Sequence, residues 1–208
     1  MPDTKEAILL TALHLFARDG YEAVSVSMIA GELGMTKGAL YKHYKNKQDL
    51  FDSIVERMYQ LDAGQSREHH VPEQTHAADP DAYSHVSWGS IRAFTRAQFR
   101  FWTEDRFACD FRRMLTLEQY RNRKMAELYR SCITAGPVAY MEDIFREMME
   151  QGTLRKGDPK QLALAFYAPL FLLISMADSQ EDRTSCEALL DRHMEQFISY
   201  STFAAADE

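Results

Sequence analysis

Apolar residues recur every three or four positions along most of this chain, and that spacing predicts helices almost throughout. The first predicted helix covers residues 5–19. Two short helices follow over residues 26–33 and 37–43, with Gly34 as a left-handed stop and Thr36 as an N-cap between them. Two short helices joined by a tight glycine turn are typical of a helix-turn-helix.

The helical spacing continues after residue 46, and its interruptions fall at prolines, glycines and polar runs. Residues 64–82 are polar, contain Pro72 and Pro80, and are predicted to form a loop. The tail from Ala204 is predicted to be frayed. The sequence therefore predicts an all-α protein of about nine helices. The later helices are expected over residues 46–61, 83–104, 106–134 as one or two helices, 138–151, 159–174 and a last segment that includes 189–198.

Residues 162–174 are apolar on every side, and the Tyr167 hydroxyl is their one polar side-chain group. Such a helix must be buried on every side, and a second copy of the chain is the simplest partner. Together with the last helix it is expected to form a four-helix bundle across a two-fold axis. The run is too short, and too closely followed by Asp178, to span a membrane. The residues predicted at this homodimer interface are Phe166, Leu170, Phe171, Ile174, Leu190, Met194, Phe197 and Ile198.

Composition and charge narrow the functional class. With 208 residues and 46% hydrophobic content, the chain can bury the cores of a small module and one larger domain. Its formal net charge is −7, yet residues 36–48 contain four lysines and no acidic residue. A locally basic strip on an acidic protein indicates a specific anionic partner. Double-stranded DNA suits this strip, because Gly38 and Ala39 let the helix backbone approach a groove closely.

The cysteines and the N-terminus indicate a reducing, cytoplasmic location. Cys109, Cys132 and Cys186 are far apart and have no CxxC spacing, which suits thiols that pack in a core, although a redox role stays open. Charged residues precede an amphipathic first helix, so no signal peptide is predicted.

Residues 5–51 carry the pattern of a known family. The pattern consists of Leu15-Phe16-Ala17-Arg18-Asp19-Gly20-Tyr21, Ser25-Val26 before Ile29-Ala30, Gly34-Met35-Thr36-Lys37-Gly38-Ala39-Leu40-Tyr41, and His43-Tyr44-Lys45-Asn46-Lys47 with Asp49-Leu50-Phe51. This run resembles the TetR family of bacterial transcriptional regulators. Met28 departs from a position that is often polar in the family, and Ser25 replaces a common threonine. The resemblance implies a three-helix DNA-binding domain over residues 1–50 and a helical ligand-binding and dimerisation domain over residues 51–208.

A dimer of this kind would read DNA at two sites. Its two recognition helices would enter successive major grooves about 34 to 36 Å apart, so the operator is expected to be nearly palindromic. Lys37 and Tyr41 are expected at base edges or thymine methyls. Lys47→Ala is expected to weaken binding to all sequences and to flatten its salt dependence, and Tyr41→Ala to change the preferred bases. Phosphate contacts are expected from Ser25, Thr36, Lys42, His43, Tyr44 and Lys47.

Methionine and aromatic residues are frequent between residues 94 and 166. Such side chains can form an adaptable pocket for a small apolar or aromatic effector, although at helical spacing they are more often plain core. The resemblance favours the pocket and implies a repressor released by an inducer, with the helix over residues 46–61 as the lever; an activator stays open. The predicted pocket residues are Phe94, Trp102, Phe111, Met114, Tyr129, Met141, Phe145 and Phe166.

Arg92, Arg96 and Arg100 stack at four-residue intervals beside these aromatic residues. They could meet an anionic or aromatic ligand. A solvated flank that pairs with acids of a neighbouring helix is the favoured interpretation.

The predicted loop contains His69, His70 and His76, so a metal-dependent sensor or a helical enzyme is the alternative function. Their spacing is irregular and no cysteine is near, which favours a solvated loop without metal. The sequence has no Ser/His/Asp or Cys/His grouping, HExxH motif or phosphate loop, so neither enzymatic activity nor a cofactor is expected. A small-molecule carrier with a vestigial DNA-binding module is a third hypothesis.

Overall fold

A computed structural model describes residues 3–178 and 182–202, and the predicted tail from Ala204 lies outside these ranges. The regular structure in the described ranges is entirely helical, which confirms the predicted all-α class. These ranges contain eleven helices, against about nine predicted, because short helices interrupt the longer ones. The helices are α1 Thr4–Asp19, α2 Val26–Glu32, α3 Lys37–Leu40, α4 Lys47–Glu68, α5 Pro80–Ser84, α6 Trp88–Glu104, α7 Arg106–Glu118, α8 Arg123–Ile133, α9 Ala135–Glu150, α10 Pro159–Ala177 and α11 Thr184–Ser201.

Contacts divide the chain into two compact units. The first unit comprises Met1–Asp62 and Glu104–Arg130, and the second comprises Ala63–Thr103 and Ser131–Glu208. Helix α4 begins in the first unit, and its last residues belong to the second. The functional division at residue 50, into a DNA-binding part and a ligand-binding part, stays a prediction.

The first unit is built on a parallel pair of helices, α1 and α7. His14 Nδ1 lies 3.2 Å from Asp110 Oδ2, and the Tyr21 N–H donates to Glu118 Oε1 at 3.0 Å. Residue numbers rise together along both contacts, so the two helices run in the same direction. The shared interior contains fully buried side chains from both helices, including Phe16 and Phe111.

The second unit contains an aromatic cluster contributed by α6, α9, α10 and α11. The ring of Phe145 lies 5.6 Å from that of Phe166 and stacks on Phe197 at 5.6 Å, and Trp88 adjoins Phe145 at 5.9 Å. Offset and edge-to-face contacts of this kind stabilise a core beyond the area that they bury. His193 closes the cluster, with Nε2 lying 2.9 Å from the Phe166 carbonyl oxygen.

The arginine ladder of α6 pairs with acids of α11. Arginine numbers rise by four while the acid numbers fall by four, so the two helices run antiparallel along this flank. The favoured interpretation, a flank paired with acids of a neighbouring helix, is therefore confirmed. The pairs are Arg92 Nη2 with Glu195 Oε1 at 3.4 Å, Arg96 Nε with Asp191 Oδ1 at 2.6 Å, and Arg100 Nε with Glu187 Oε1 at 2.8 Å.

Helix α4 extends four residues past the predicted loop boundary at residue 64, ending at Glu68. Gly64 disfavours a helix by only about 1 kcal/mol, which does not stop a helix that is already long. The chain turns at His70, where φ is 54°, and the Val71 N–H donates to the Ser66 carbonyl at 3.0 Å while the Val71 side chain is buried. This closure is a Schellman-type end on a residue other than glycine.

Two other predicted helix boundaries are corrected. The helix predicted over residues 83–104 is two helices, α5 and α6, because the Ser87 hydroxyl accepts from the Ser90 N–H at 3.1 Å and starts a new helix. The predicted interruption before α9 is present at Thr134, but α9 starts at Ala135 and includes both Gly136 and Pro137. Proline is tolerated there because the first turn of a helix has no acceptor for its N–H.

Helix α10 is longer than predicted and only partly buried. It has 19 residues, and an 18-residue window has a mean hydropathy of 1.5 with 33% of its residues buried. By length and composition it could cross a membrane, as could the core helix of a soluble protein, so the argument from insufficient length is wrong. Nor is it buried on every side within one chain, since Leu164 is 49% exposed and Leu172 is 58% exposed.

Candidate DNA-binding surface

The helix-turn-helix is formed by α2, α3 and the turn between them. Ser25 caps α2 by accepting from the Met28 N–H at 3.2 Å, and Thr36 caps α3 by accepting from the Ala39 N–H at 3.2 Å. Gly34 has φ of 64°, the left-handed conformation that a side chain disfavours. The predicted cap at Thr36 and the predicted glycine stop are both confirmed.

One side of this motif is buried and the other is exposed. Leu40 is fully buried, whereas Lys37 and Lys42 are exposed and Tyr41 is 43% exposed. The Lys37 ammonium lies 5.6 Å from the centre of the Tyr41 ring. The motif therefore presents a cation and an aromatic ring together on its outer side, as the sequence predicted.

Regular α-helix in α3 ends at Leu40, three residues before the predicted end at His43. The last turn is tightened: the Lys42 N–H donates to the Ala39 carbonyl at 3.2 Å and the His43 N–H to the Leu40 carbonyl at 2.9 Å. Such i to i+3 bonds are common where a short helix terminates. Lys42 and His43 are consequently carried on this turn, where both are exposed.

The chain enters α4 through a well-capped N-terminus. Asn46 Oδ1 accepts from the Asp49 N–H at 2.8 Å, and Asp49 Oδ2 accepts in return from the Lys45 N–H at 2.8 Å. The predicted capping arrangement is confirmed, with the return bond displaced by one residue. Lys45 remains exposed beside this helix start, and the predicted set of DNA contacts omitted it.

Lys47 differs from the other lysines of the strip because its ammonium faces the protein. Nζ donates to the carbonyl oxygens of Tyr21 at 2.8 Å and Val24 at 3.1 Å, and a third carbonyl, that of Glu22, lies at 3.5 Å. The same ammonium lies 4.3 Å from the centre of the Tyr21 ring. In this structure the predicted phosphate ligand is bound to its own chain.

Tyr44 is also turned inward. Its side chain is 2% exposed and its hydroxyl donates to the Lys5 carbonyl at 3.2 Å, so this hydroxyl holds α1 against the helix-turn-helix. Burial, together with the carboxylates of Glu6 and Asp49, raises the pKa of the Tyr44 hydroxyl from 10.0 to about 12. The predicted phosphate contact by Tyr44 would therefore require this hydroxyl to exchange its partner.

We expect Tyr44→Phe to change how stability depends on alkaline pH. The raised pKa favours the neutral phenol in the folded state, so this contribution is present below pH 10 and is lost as pH rises through about 12. A shift of two units corresponds to about 2.7 kcal/mol. The variant should lose about 1 kcal/mol near pH 7 with its hydrogen bond and then decline less steeply above pH 10.

Urea unfolding from pH 7 to pH 12 measures this effect. Tyr83, whose pKa burial also raises to about 12, is retained and gives the residual alkaline decline. Parallel stability curves for the variant and the wild type would contradict the assignment.

The predicted pocket residues are divided between the two units. Phe111, Met114 and Tyr129 belong to the first unit, where Phe111 and Met114 are fully buried. The second unit contains Phe94, Trp102, Met141, Phe145 and Phe166. A cavity of about 180 Å³ in the second unit is lined instead by the ladder and its neighbours, namely Arg96, Phe99, Arg100, Glu187, Leu190 and Asp191. An effector pocket at the predicted residues stays a prediction.

Most of the predicted dimer-interface residues are buried inside their own chain. The buried residues are Phe166, Leu170, Ile174, Leu190, Met194 and Phe197. Phe171 and Ile198 are partly exposed. The apolar side chains left exposed on α10 and α11 are instead Leu164, Leu172, Met176 and Leu189. An all-apolar helix gives no polar face from which its orientation can be predicted.

The histidines of the predicted metal loop lie apart in their contacts. His69 adjoins the ring of Phe94 at 6.4 Å, and His76 lies 5.1 Å from Tyr83 and 3.7 Å from a Glu147 carboxylate oxygen. Within residues 3–178 and 182–202, no group of three or more histidine, cysteine or acidic side chains converges as metal ligands would.

Comparisons with known sequences match the N-terminal part of the chain. Residues 8–54 match the family model described as bacterial regulatory proteins, tetR family. The regulator AcrR of Shigella flexneri is 44% identical over 54 residues, which is 26% of this chain and 25% of AcrR. The class C tetracycline repressor of Escherichia coli is 32% identical over 93 residues, which is 45% of this chain and 38% of the repressor. The chain covers 19% to 38% of the length of the curated relatives it matches.

Comparison with solved structures extends the fold over the whole chain. The complex of SmeT with triclosan has a TM-score of 0.67 at 21% identity and covers 97% of this chain and 93% of SmeT. SmeT is the repressor of a multidrug efflux pump in Stenotrophomonas maltophilia. The predicted resemblance is therefore confirmed: this chain carries the helix-turn-helix of the TetR family of bacterial regulatory proteins on a polypeptide with the fold of TetR-family regulators.

Proposed function

We propose that the protein is a transcriptional regulator that binds a nearly palindromic DNA operator as a homodimer. One observation carries this proposal: exposed lysines and Tyr41 lie on the side of the helix-turn-helix opposite its buried core. The net charge of −7 opposes general adhesion to nucleic acid, so a basic strip restricted to residues 36–48 supports a docked duplex. Regulation of transcription rather than catalysis is the activity expected of such a surface, in the cytoplasm.

The side chains of the surface fall into two proposed roles. Lys37 and Tyr41 extend from α3 and would read base edges in the major groove, with Gly38 and Ala39 allowing close approach. Positioning on the phosphates would come from Lys42, His43 and Lys45, and from the hydroxyl protons of Ser25 and Thr36. Each of these two hydroxyls accepts a cap bond with its oxygen, which leaves its O–H as a donor.

Dimerisation is proposed through the exposed apolar side of α10. Leu164, Ala168 and Leu172 follow one another at four-residue steps and are all exposed in a single chain. Contiguous apolar surface of this kind marks an interaction site. A second copy related by a two-fold axis would cover it and would hold two helix-turn-helix motifs at the spacing of successive major grooves.

Effector control is proposed through α4, which begins beside the helix-turn-helix and continues to Glu68. A ligand that favours one spacing of the two DNA-binding motifs shifts the population toward that spacing, and couplings of about 1 to 3 kcal/mol are typical. The aromatic and methionine-rich interior of the second unit supports a small apolar or aromatic effector. Release of a repressor from its operator is the outcome we propose.

The DNA-binding surface is tested with duplexes selected by the protein from a randomised library. We expect Lys42→Ala and Lys45→Ala each to weaken binding to every selected duplex and to reduce the slope of log affinity against log salt by about 0.9, because each removes one phosphate contact. Tyr41→Ala should instead change which bases are preferred, at a cost of about 1 to 3 kcal/mol for the wild-type site. Fluorescence anisotropy between 50 and about 300 mM salt measures both quantities.

Glu56→Ala is the matched control, because Glu56 is an exposed residue of α4 on the same unit but outside the basic strip. Its salt slope should equal that of the wild type. Selection of no duplex by the wild-type protein at low salt would contradict the proposed function.

A further inference from the structure

The loop between α1 and the helix-turn-helix is held from two sides at one residue, Tyr21. The Tyr21 N–H donates to the Glu118 carboxylate of α7 at 3.0 Å, and the Tyr21 carbonyl accepts from the Lys47 ammonium of α4 at 2.8 Å. The Tyr21 ring is buried against Phe16 and Phe51, with centroids 5.0 and 5.3 Å away. Three helices of the first unit therefore meet at a loop that leads directly into the Ser25 cap of α2.

Lys47 supplies the α4 side of this arrangement. An ammonium has three N–H donors, and three carbonyl oxygens, from Tyr21, Glu22 and Val24, lie within 3.5 Å of Nζ. Its charge also lies over the Tyr21 ring at 4.3 Å, within the range of a favourable cation–π contact. These carbonyls and this ring satisfy the ammonium, so a phosphate would have to displace them to bind it.

Glu118 supplies the α7 side. Its side chain is 1% exposed, and Oε2 has no hydrogen-bond partner, so Oε1 holds the loop from a fixed, buried position. The loop approaches so closely that a Cβ at Gly20 would lie 2.7 Å from Oε1. Arg121 lies 3.6 Å from the same oxygen and balances its charge.

We propose that Lys47 and Glu118 are positioning residues that clamp the Gly20–Val24 loop and thereby fix the angle of the helix-turn-helix, and that Lys47 does not bind DNA phosphate. This inference rests on the proposed DNA-binding function. It replaces the role that the sequence predicted for Lys47 with one that acts through the carbonyl groups of residues 21–24. Movement of α4 or α7 would reach the recognition helix through the same clamp.

The salt dependence of DNA binding separates a positioning residue from a phosphate ligand. We expect Lys47→Met, which keeps an unbranched side chain and removes the charge, to weaken binding to a selected duplex about tenfold at every salt concentration, with a slope parallel to that of the wild type. Lys45→Ala is the matched control, since it removes an exposed neighbouring lysine and should reduce the slope by about 0.9. A reduction of the Lys47→Met slope by the same amount would overturn the proposal.

Glu118 gives the second arm. Glu118→Ala should weaken DNA binding about as much as Lys47→Met, again with an unchanged slope, whereas Glu118→Gln keeps an oxygen for the Tyr21 N–H and should restore binding. Binding is measured well below each variant's melting temperature, so that all of the protein is folded. Wild-type affinity in folded Glu118→Ala would overturn the proposal.

Amide hydrogen exchange tests the clamp without DNA and so separates its failure from failure of the proposed function. The Tyr21 amide should exchange faster in Lys47→Met and Glu118→Ala than in the wild type or Lys45→Ala, because opening of the loop exposes it. Equal exchange in all four proteins would show that the clamp does not hold the loop.

Discussion

A Leu172→Arg variant is expected to be monomeric and to bind a palindromic duplex about 100-fold more weakly than the wild type, since it loses the avidity of two linked half-site contacts. Leu172 is 58% exposed in a single chain, and Leu164, two turns earlier on α10, is 49% exposed. Burying leucine at this surface favours association, whereas an unpaired guanidinium at the same place would have to leave water without a partner. A two-fold interface brings each substitution in twice, which increases the effect.

Sedimentation and anisotropy on one preparation measure the two parts of this expectation. Gln161→Arg is the matched control, because it adds the same cation at an exposed polar position of the same helix. It should remain dimeric and bind as the wild type does. A Leu172→Arg protein that stays dimeric at micromolar concentration would show that α10 is not the contact surface.

The helix-turn-helix could be predicted in detail because its determinants are local. Ser25, Gly34 and Thr36 act on residues within three or four positions, through caps and one left-handed turn. The buried positions follow from the same short period: Leu40 and Tyr44, four residues apart, lie on one side. Sequence spacing alone is enough where both partners of each contact are this close along the chain.

The role of Lys47 could not be predicted in this way. Along the chain it is one of four lysines in a strip without acids, and nothing nearby distinguishes it from Lys45. The difference arises from carbonyl groups 23 to 26 residues earlier, which the fold brings within reach of one ammonium and not the other. Glu118 is a stronger case, because its bond to Tyr21 joins residues 97 apart.

The orientation of α10 shows a different limit. Its composition predicted correctly that the helix is largely apolar and begins at Pro159 behind an Asp158 cap. Burial of Phe166 and exposure of Leu172 depend on the faces that α9 and α11 present, and two apolar side chains carry no signal that separates them. The arginine ladder was easier, since charged side chains at four-residue intervals predict their own solvent-facing side and acidic partners.

Gly136→Ala is expected to lower the free energy of unfolding by about 3 kcal/mol, because the first turn of α9 passes too close to the end of α8 for any side chain. A Cβ at Gly136 would lie 1.8 Å from the Ser131 carbonyl oxygen and 2.8 Å from its carbon, and these backbone atoms cannot move aside as a flexible side chain would. Gly64→Ala, in the interior of α4, is the matched control: its nearest neighbour is the end of the Arg67 side chain at 3.9 Å, so alanine should raise stability by about 1 kcal/mol. Urea unfolding measures both variants, and a Gly136→Ala midpoint at or above that of the wild type would show that the two helices do not approach this closely.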